Sequence, residues 1–173
     1  MVRNLRRLPM IVCICTALGC RTSSTASMPR SSDVRTETLS LSAVLTMAIS
    51  AIQLEKTSPL SAQELAAMAF VESSFNPNAI GDHGSAVGIM QFHRGTFYDY
   101  APKDWRREDP LMSMRVAIRY AKRGAKLWRF MGKVPTVPRL WSHHNRGNAR
   151  GYNAEYASRC ADALRRIRNG EIR

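Results

Sequence analysis

The feature that most constrains this chain is a carboxylate set into the apolar face of a short helix. Ser61-Ala-Gln-Glu64 has the form of a capping box, with Ser61 as N-cap and Glu64 three residues on. The helix it opens carries Leu65, Met68, Ala69 and Glu72 at i, i+3, i+4 and i+7. That spacing puts all four on one face, with Glu72 in the last turn. The helix must stop soon after, because Pro77 disfavours helical geometry at Asn76. Burial among apolar groups disfavours the charged form of a carboxyl, and proteins use this to keep an acid protonated for proton donation. Glu72 is therefore a candidate general acid. The competing reading is a buried or capped Glu in a structural helix.

The rest of the chain reads as helices around this one. Leu41, Val44, Leu45, Ala48 and Ile52 form an apolar stripe over residues 39–54. A short helix is expected over Thr96–Tyr100. Asp109 as N-cap and Pro110 at the first helical position open a long helix to about Met131. Its apolar stripe is Met114, Ile118, Ala121, Ala125 and Trp128, and a basic stripe of Arg115, Arg119, Lys122, Lys126 and Arg129 runs beside it. Further helices are expected over about Arg139–His144 and Ala154–Ile167. Gly81, Asp82 and Gly84 mark turns in the segment 76–87. No stretch alternates like a strand, so the expected fold is mainly α, one domain over residues 39–173.

Two segments then fall into a known arrangement. Glu72-Ser73-Ser74-Phe75-Asn76-Pro77-Asn78-Ala79 is followed, after a short loop, by Gly88-Ile89-Met90-Gln91. The pair resembles the lytic transglycosylases of the lysozyme-like superfamily. Their motifs are Glu-Ser, then a hydrophobic residue and a Pro or Asn before Ala, then Gly-Leu-Met-Gln. A third family motif, Ala-Tyr-Asn-x-Gly, is matched by His143-His144-Asn145-Arg146-Gly147, with His144 where Tyr is usual. A fourth, Glu-Thr-x-x-Tyr, is matched loosely by Glu155-Tyr156. The resemblance covers roughly residues 58–167. It implies a lysozyme-like domain with a small irregular sheet or loop region bordering the cleft.

The resemblance also implies a chemistry. Glu72 would protonate the glycosidic oxygen between MurNAc and GlcNAc. The substrate's N-acetyl group would assist at the anomeric carbon, and Glu72 would then take the 6-hydroxyl proton, leaving a 1,6-anhydro end. Ser73, Met90, Gln91, His144, Asn145 and Tyr156 are the implied substrate-binding residues. Each has a structural reading beside it: a helix-end hydroxyl for Ser73, core or cleft wall for Met90, a buried amide serving local backbone for Gln91 and Asn145. His144 is expected to be neutral, and Gly88 to allow close backbone approach near Glu72 or the sugar. Glycoside hydrolysis usually takes two carboxylates, and Asp82 is the one plausible companion. Gly81-Asp82-His83-Gly84 also resembles goose-type lysozymes, in which an Asp there helps a hydrolytic water. Those enzymes tend to carry a second Asp two residues after the Gln, where this chain has His93. Asp82 is otherwise a turn residue. The alternatives are thus a goose-type muramidase, or a catalytically silent wall-binding protein.

The N-terminus and the charge distribution address location. Arg3, Arg6 and Arg7 precede an apolar run from Leu8 to Leu18, then Gly19-Cys20. This reads as a signal peptide over residues 1–19, too short to span as an ordinary transmembrane helix. Ala17-Leu18-Gly19-Cys20 resembles a bacterial lipobox, which implies lipidation of Cys20 and a periplasmic, membrane-anchored location; a plain secretory signal is the alternative. Residues 20–38, rich in Ser, Thr and Arg, read as a flexible tether. Cys160 would then be left alone, a small buried apolar residue with no disulfide partner. No cofactor loop and no metal-ligand spacing occurs; His143 and His144 are adjacent and cannot face one site from a helix. The formal charge is +13. Residues 94–173 hold nineteen Lys and Arg against seven Asp and Glu, whereas 36–93 hold one Lys against five acids. The basic half is either a solvated face or an attraction to an anionic polymer. Peptidoglycan is the expected partner, and export argues against nucleic acid.

Overall fold

The four longest helices each start at a residue whose side chain closes the first turn. The computed structural model describes residues 38–147 and 151–173, so the expected signal peptide, Cys20 and the tether up to residue 37 lie outside the described residues. Helix α1 (Leu41–Glu55) is capped by Ser40, and α2 (Ala62–Ser73) by the full Ser61/Glu64 capping box. Asp109 accepts from the Met112 amide at 3.0 Å to open α4 (Pro110–Phe130). Asn153 accepts from the Tyr156 amide at 3.1 Å to open α6 (Ala154–Arg168). The short α3 (Arg94–Tyr98) starts two residues earlier than its sequence suggests, and α5 (Val137–Arg146) extends two residues beyond both expected ends.

Packing closes these helices into a ring. Helix α1 lies on α2 and α4, α4 on α5, α5 on α6, and α6 returns to α2. The predicted apolar stripe of α4 is buried along its whole length, from Met114 to Trp128. Leu65, Met68, Ile89, Met90, Met114 and Ile118 are fully buried at the centre. Cys160 lies in this core, and burial pushes its thiol up to about 12, so it stays protonated. Among the described residues no helix is long and apolar enough to cross a membrane.

The small sheet fills the gap between α2 and α3. Strands β1 (Ile80–Gly81), β2 (Ala86–Val87) and β3 (Phe92–His93) pair antiparallel in the order β1-β2-β3, with Ile80 opposite Val87 and Val87 opposite Phe92. Two-residue strands are too short to show alternation, which is why they left no pattern in the sequence. The guanidinium of Arg107 secures the sheet, donating to the carbonyls of Ser85 at 2.8 Å and Phe92 at 3.0 Å.

The basic stripe of α4 is divided between two uses. Arg115 and Arg119 each donate to the carboxylate of Glu55 at 2.9 Å, and Lys122 donates to the Glu55 carbonyl at 3.0 Å. Both guanidinia also lie over the Trp105 ring, 4.2 and 4.7 Å from its centre. Three of the five stripe cations therefore form an internal clamp on the C-terminus of α1. Burial pushes the Glu55 carboxyl up, but Arg119 and Arg115 together outweigh it and hold it below the ordinary carboxylate value. Because the folded value is depressed, the clamp stabilises fully above the unfolded value and is lost as pH falls through the folded one. Glu55→Gln should lower stability by about 2 kcal/mol at pH 7. In urea titrations run from pH 7 to 3, the gap between wild type and variant should narrow towards acid. A gap that stays constant would mean that the carboxylate charge contributes nothing.

Candidate active site

The end of α2 is forced open just past Glu72. Ser74 and Phe75 both adopt left-handed backbone, at φ 51° and 66°. Such geometry costs a non-glycine residue roughly 1–2 kcal/mol. Burial of Phe75, edge-on to Phe70 at 5.4 Å, offsets it. The Phe75 carbonyl accepts from the Leu39 amide at 3.0 Å, so the sharp exit is fixed. Glu72 is left in the last turn, facing the ring of helices with its side chain 16% exposed.

Three elements converge on that carboxylate. From α6, the Tyr156 hydroxyl donates to Glu72 Oε1 at 2.5 Å. Burial, then the Glu72 charge, pushes the Tyr156 phenol well above its ordinary value, so it remains a donor. From α5, His144 Nε2 stands 3.6 Å from the same oxygen. That nitrogen is 3.1 Å from the Met90 carbonyl, which can only accept, so Nε2 carries the proton. His144 Nδ1 is buried with no hydrogen-bond partner among the described residues. Among the described residues only the Nε2 side of the ring therefore makes a hydrogen bond. Phe92 holds it edge-on at 4.9 Å.

The Gly88–Gln91 turn is bound to the same place. Ser73 Oγ shares its proton between the carbonyls of Ala69 at 3.1 Å and Ile89 at 3.0 Å, tying the turn to the residue beside Glu72. Gln91, at φ 48°, donates from Nε2 to the carbonyls of Gly88 at 2.8 Å and Ala79 at 3.1 Å. Its amide nitrogen therefore serves the loop, while its side chain also borders the cleft. Met90 is fully buried; its side chain belongs to the core, and its carbonyl is what orients His144. Asn145 is exposed and accepts from Asn153 Nδ2 at 2.7 Å.

An open cleft of about 460 Å³ joins these groups. Glu72 and Asp82 are the two carboxylates that line it, with Gln91, Tyr120, His144 and Asn145 among the other walls. Asp82 lies at the rim, 70% exposed, with its Oδ2 2.8 Å from His93 Nε2. It sits in left-handed backbone at φ 47°, beside His83 at 54°. Thus His93, two residues past Gln91, occupies Asp82 rather than adding a further acid. Tyr120 is the cleft residue that sequence reasoning missed. It stacks on His143 at 4.6 Å, and burial pushes its phenol up to about 12. Its place between two apolar stripe positions of α4 was the available signal. Trp141 is buried in the core and does not line the cleft. Among the described residues, no group of three or more His, Cys, Asp or Glu is placed to hold a metal ion.

The helical ring, the short antiparallel sheet and the cleft between them define a lysozyme-like, mainly α domain. The chain belongs to the transglycosylase SLT domain family, whose profile matches residues 49–153. It thereby carries a transglycosylase-type domain whose substrate class is peptidoglycan. No curated relative matches the chain.

Gly88 explains why this turn takes the shape it does. At φ 85°, a Cβ there would stand 2.2 Å from the Arg107 carbonyl oxygen. The close approach expected near Glu72 or the sugar is instead to the backbone before α4. Gly88→Ala should cost at least about 2 kcal/mol, from left-handed strain plus a backbone clash that no rotamer relieves. Thermal denaturation should show the loss, whereas Gly95→Ala, where a Cβ meets open space, should behave like wild type.

Proposed function

We propose that the protein is an exported lytic transglycosylase that cleaves the MurNAc–GlcNAc β-1,4 bond, with Glu72 as general acid and then base. The observation that carries this reading is the single supported carboxylate in the cleft. Glu72 is held by Tyr156 at 2.5 Å and largely enclosed beside His144 Nε2, whereas Asp82 is exposed and engaged by His93. An inverting hydrolase needs a second carboxylate free to activate water, and a retaining one needs it as nucleophile. A rim Asp already hydrogen-bonded to His93 serves neither need well. The 1,6-anhydro route asks for one group only. Glu72 gives its proton to the glycosidic oxygen as the bond to the anomeric carbon breaks. The substrate acetamido group supports that carbon. The Glu72 carboxylate then accepts the 6-hydroxyl proton as that oxygen closes on the same carbon. Protons balance, and no water is consumed.

The other residues take roles by position. Tyr156 holds the Glu72 carboxylate in one rotamer, and Ser73 fixes the turn that carries Gln91. Gln91 and Asn145 face the cleft with groups able to meet acetamido or peptide amides. We further propose that Cys20 is the first mature residue and carries lipid, which would hold the enzyme at the periplasmic face of a bacterial membrane. The arginine-led apolar run ending in Gly19-Cys20 supports this. Mass spectrometry of the mature N-terminus tests it: a diacylated Cys20 is expected, and an unmodified one refutes anchoring.

Two substitutions test the chemistry on purified sacculi. Glu72→Gln keeps size and hydrogen bonding but cannot donate and retake a proton, so the rate should fall by about 10²–10⁴ or more with an unchanged melting curve. Tyr156→Phe should lower kcat by roughly tenfold with KM little changed, since the lost bond positions the acid rather than the sugar. Wild-type products should end in anhydro sugars, lighter than hydrolysed ends by one water, about 18 Da. Reducing ends labelled from heavy-oxygen water, with an inactive Asp82→Asn, would establish the muramidase instead.

A further inference from the structure

We infer that the turn between α4 and α5 is a membrane-docking tip, built to seat on an anionic phospholipid surface. Three apolar residues stand out there within five positions. Phe130 is 91% exposed, Val134 70% and Met131 40%. Isolated exposed apolar residues are ordinary, but a group at one protruding turn is not. The turn is also preformed. Gly132, at φ 69°, ends α4 in a Schellman arrangement: Lys133 N donates to the Trp128 carbonyl at 2.9 Å, and Gly132 N to the Arg129 carbonyl at 2.9 Å. Arg139 also donates to the Val134 carbonyl, at 2.6 Å. Lys133 and Arg139 lie over the Trp128 ring at 5.4 and 5.3 Å. These backbone bonds fix the shape of the tip, while Phe130 and Val134 stand out in solvent.

The charge around the tip selects the occupant. Residues 110–154 contain no Asp or Glu. Lys126, Arg129 and Lys133 flank the apolar residues, and none of them forms an ion pair among the described residues. Two shallow grooves open beside the turn. One is bordered by Lys133, Arg139 and the half-exposed Tyr152, the other by Lys122, Lys126 and Arg129; neither has an acidic wall. Aromatic and aliphatic side chains ringed by unpaired cations match a bilayer interface, where acyl chains lie beneath anionic headgroups. A folded protein partner or a second copy would have to supply both an apolar pocket and a surrounding acidic rim. This surface lies outside the cleft, and the inference does not depend on lipidation of Cys20.

Co-sedimentation of the full chain with vesicles tests the tip. Vesicles of phosphatidylcholine with 30% phosphatidylglycerol are compared with phosphatidylcholine alone (about 30% anionic lipid gives a surface potential of the kind that attracts basic segments). Two variants are used: Phe130→Ser with Val134→Ser, and Lys126→Gln with Arg129→Gln and Lys133→Gln. Each should lower partitioning onto anionic vesicles by about tenfold or more, while melting temperature and rate on isolated sacculi stay at wild-type values. Anionic vesicles should retain wild type more strongly than neutral ones. Unchanged retention of the serine variant overturns the proposal, since another segment, such as the apolar run at residues 8–18, then does the binding. Equal retention on both vesicles overturns it as well. So does a serine variant that loses self-association while keeping its vesicle binding, because the tip would then join two copies.

Discussion

The hydrogen bond from Tyr156 to Glu72 is the contact on which the site depends. It joins the last helix to the second across the ring, at the point where α2 ends in two left-handed residues. A bond of this kind is useful only if both partners are already in place, because ordering two long side chains costs entropy. The fold supplies that order from several directions. Asn153 caps α6 with its side chain, which accepts from the Tyr156 amide, while its own backbone amide donates to Ser142 of α5 at 2.6 Å. The same short segment therefore fixes Tyr156 in α6 and the end of α5 that carries His144. Displacing any of α2, α5 or α6 would move a partner of the carboxylate.

Much of this was readable before any coordinates. The capping box at Ser61, the spacing through Leu65, Met68 and Ala69, and the break at Asn76-Pro77 locate α2 and put Glu72 on its inner face. Asp109-Pro110 marks the start of α4, and the buried stripe from Met114 to Trp128 follows the sequence period. Those signals are local, and local signals survive in a single sequence. What was not readable is long-range. Nothing in the sequence says that Glu55 is opposite Arg115 and Arg119, sixty and more residues away, so the basic stripe reads there only as a solvated face or an attraction to an anionic polymer. Likewise the space beside Gly88 is filled by Arg107, a contact that only the packed chain reveals. Tyr156 was legible as a site residue only through a loosely matched motif. That it meets the carboxylate, and not the cleft wall, follows from how α6 crosses α2.

The Asp82–His93 pair shows how a small sequence difference reorganises a rim. Asp82 stands at the end of β1 and His93 at the end of β3, with β2 between them. Across an antiparallel sheet of two-residue strands, the two turns are brought close by pairing alone. A carboxylate at position 93 would face Asp82 with like charge, and one of the two would be driven towards its neutral form. An imidazole in that place brings no like charge and gives the Asp82 carboxylate a hydrogen-bond partner at 2.8 Å. Both side chains are largely exposed, so the contact adds little to stability. Its consequence is for what Asp82 is able to do: a carboxylate already satisfied by a neighbour is a poor base for a water in the cleft.

Helix α4 links the three levels of the molecule, because its residues serve them in order along one axis. Arg115 and Arg119 clamp α1, Tyr120 lines the cleft, and Phe130 ends at the outer tip. From Tyr120 to Phe130 is ten residues, about 15 Å of helix at 1.5 Å per residue. The helix between them is buried along its apolar stripe and closed at its end by the Gly132 turn, so that separation is rigid. An enzyme held only by a flexible tether would sample many heights above a bilayer. Seating the tip on lipid headgroups would instead fix one end of α4 at the surface and carry the cleft at a set remove from it. The side chains that would seat the tip are not those that line the cleft. If the tip seats on lipid as inferred, changes at Phe130 and its flanking cations would alter where the cleft is held while leaving Glu72, Tyr156 and His144 untouched.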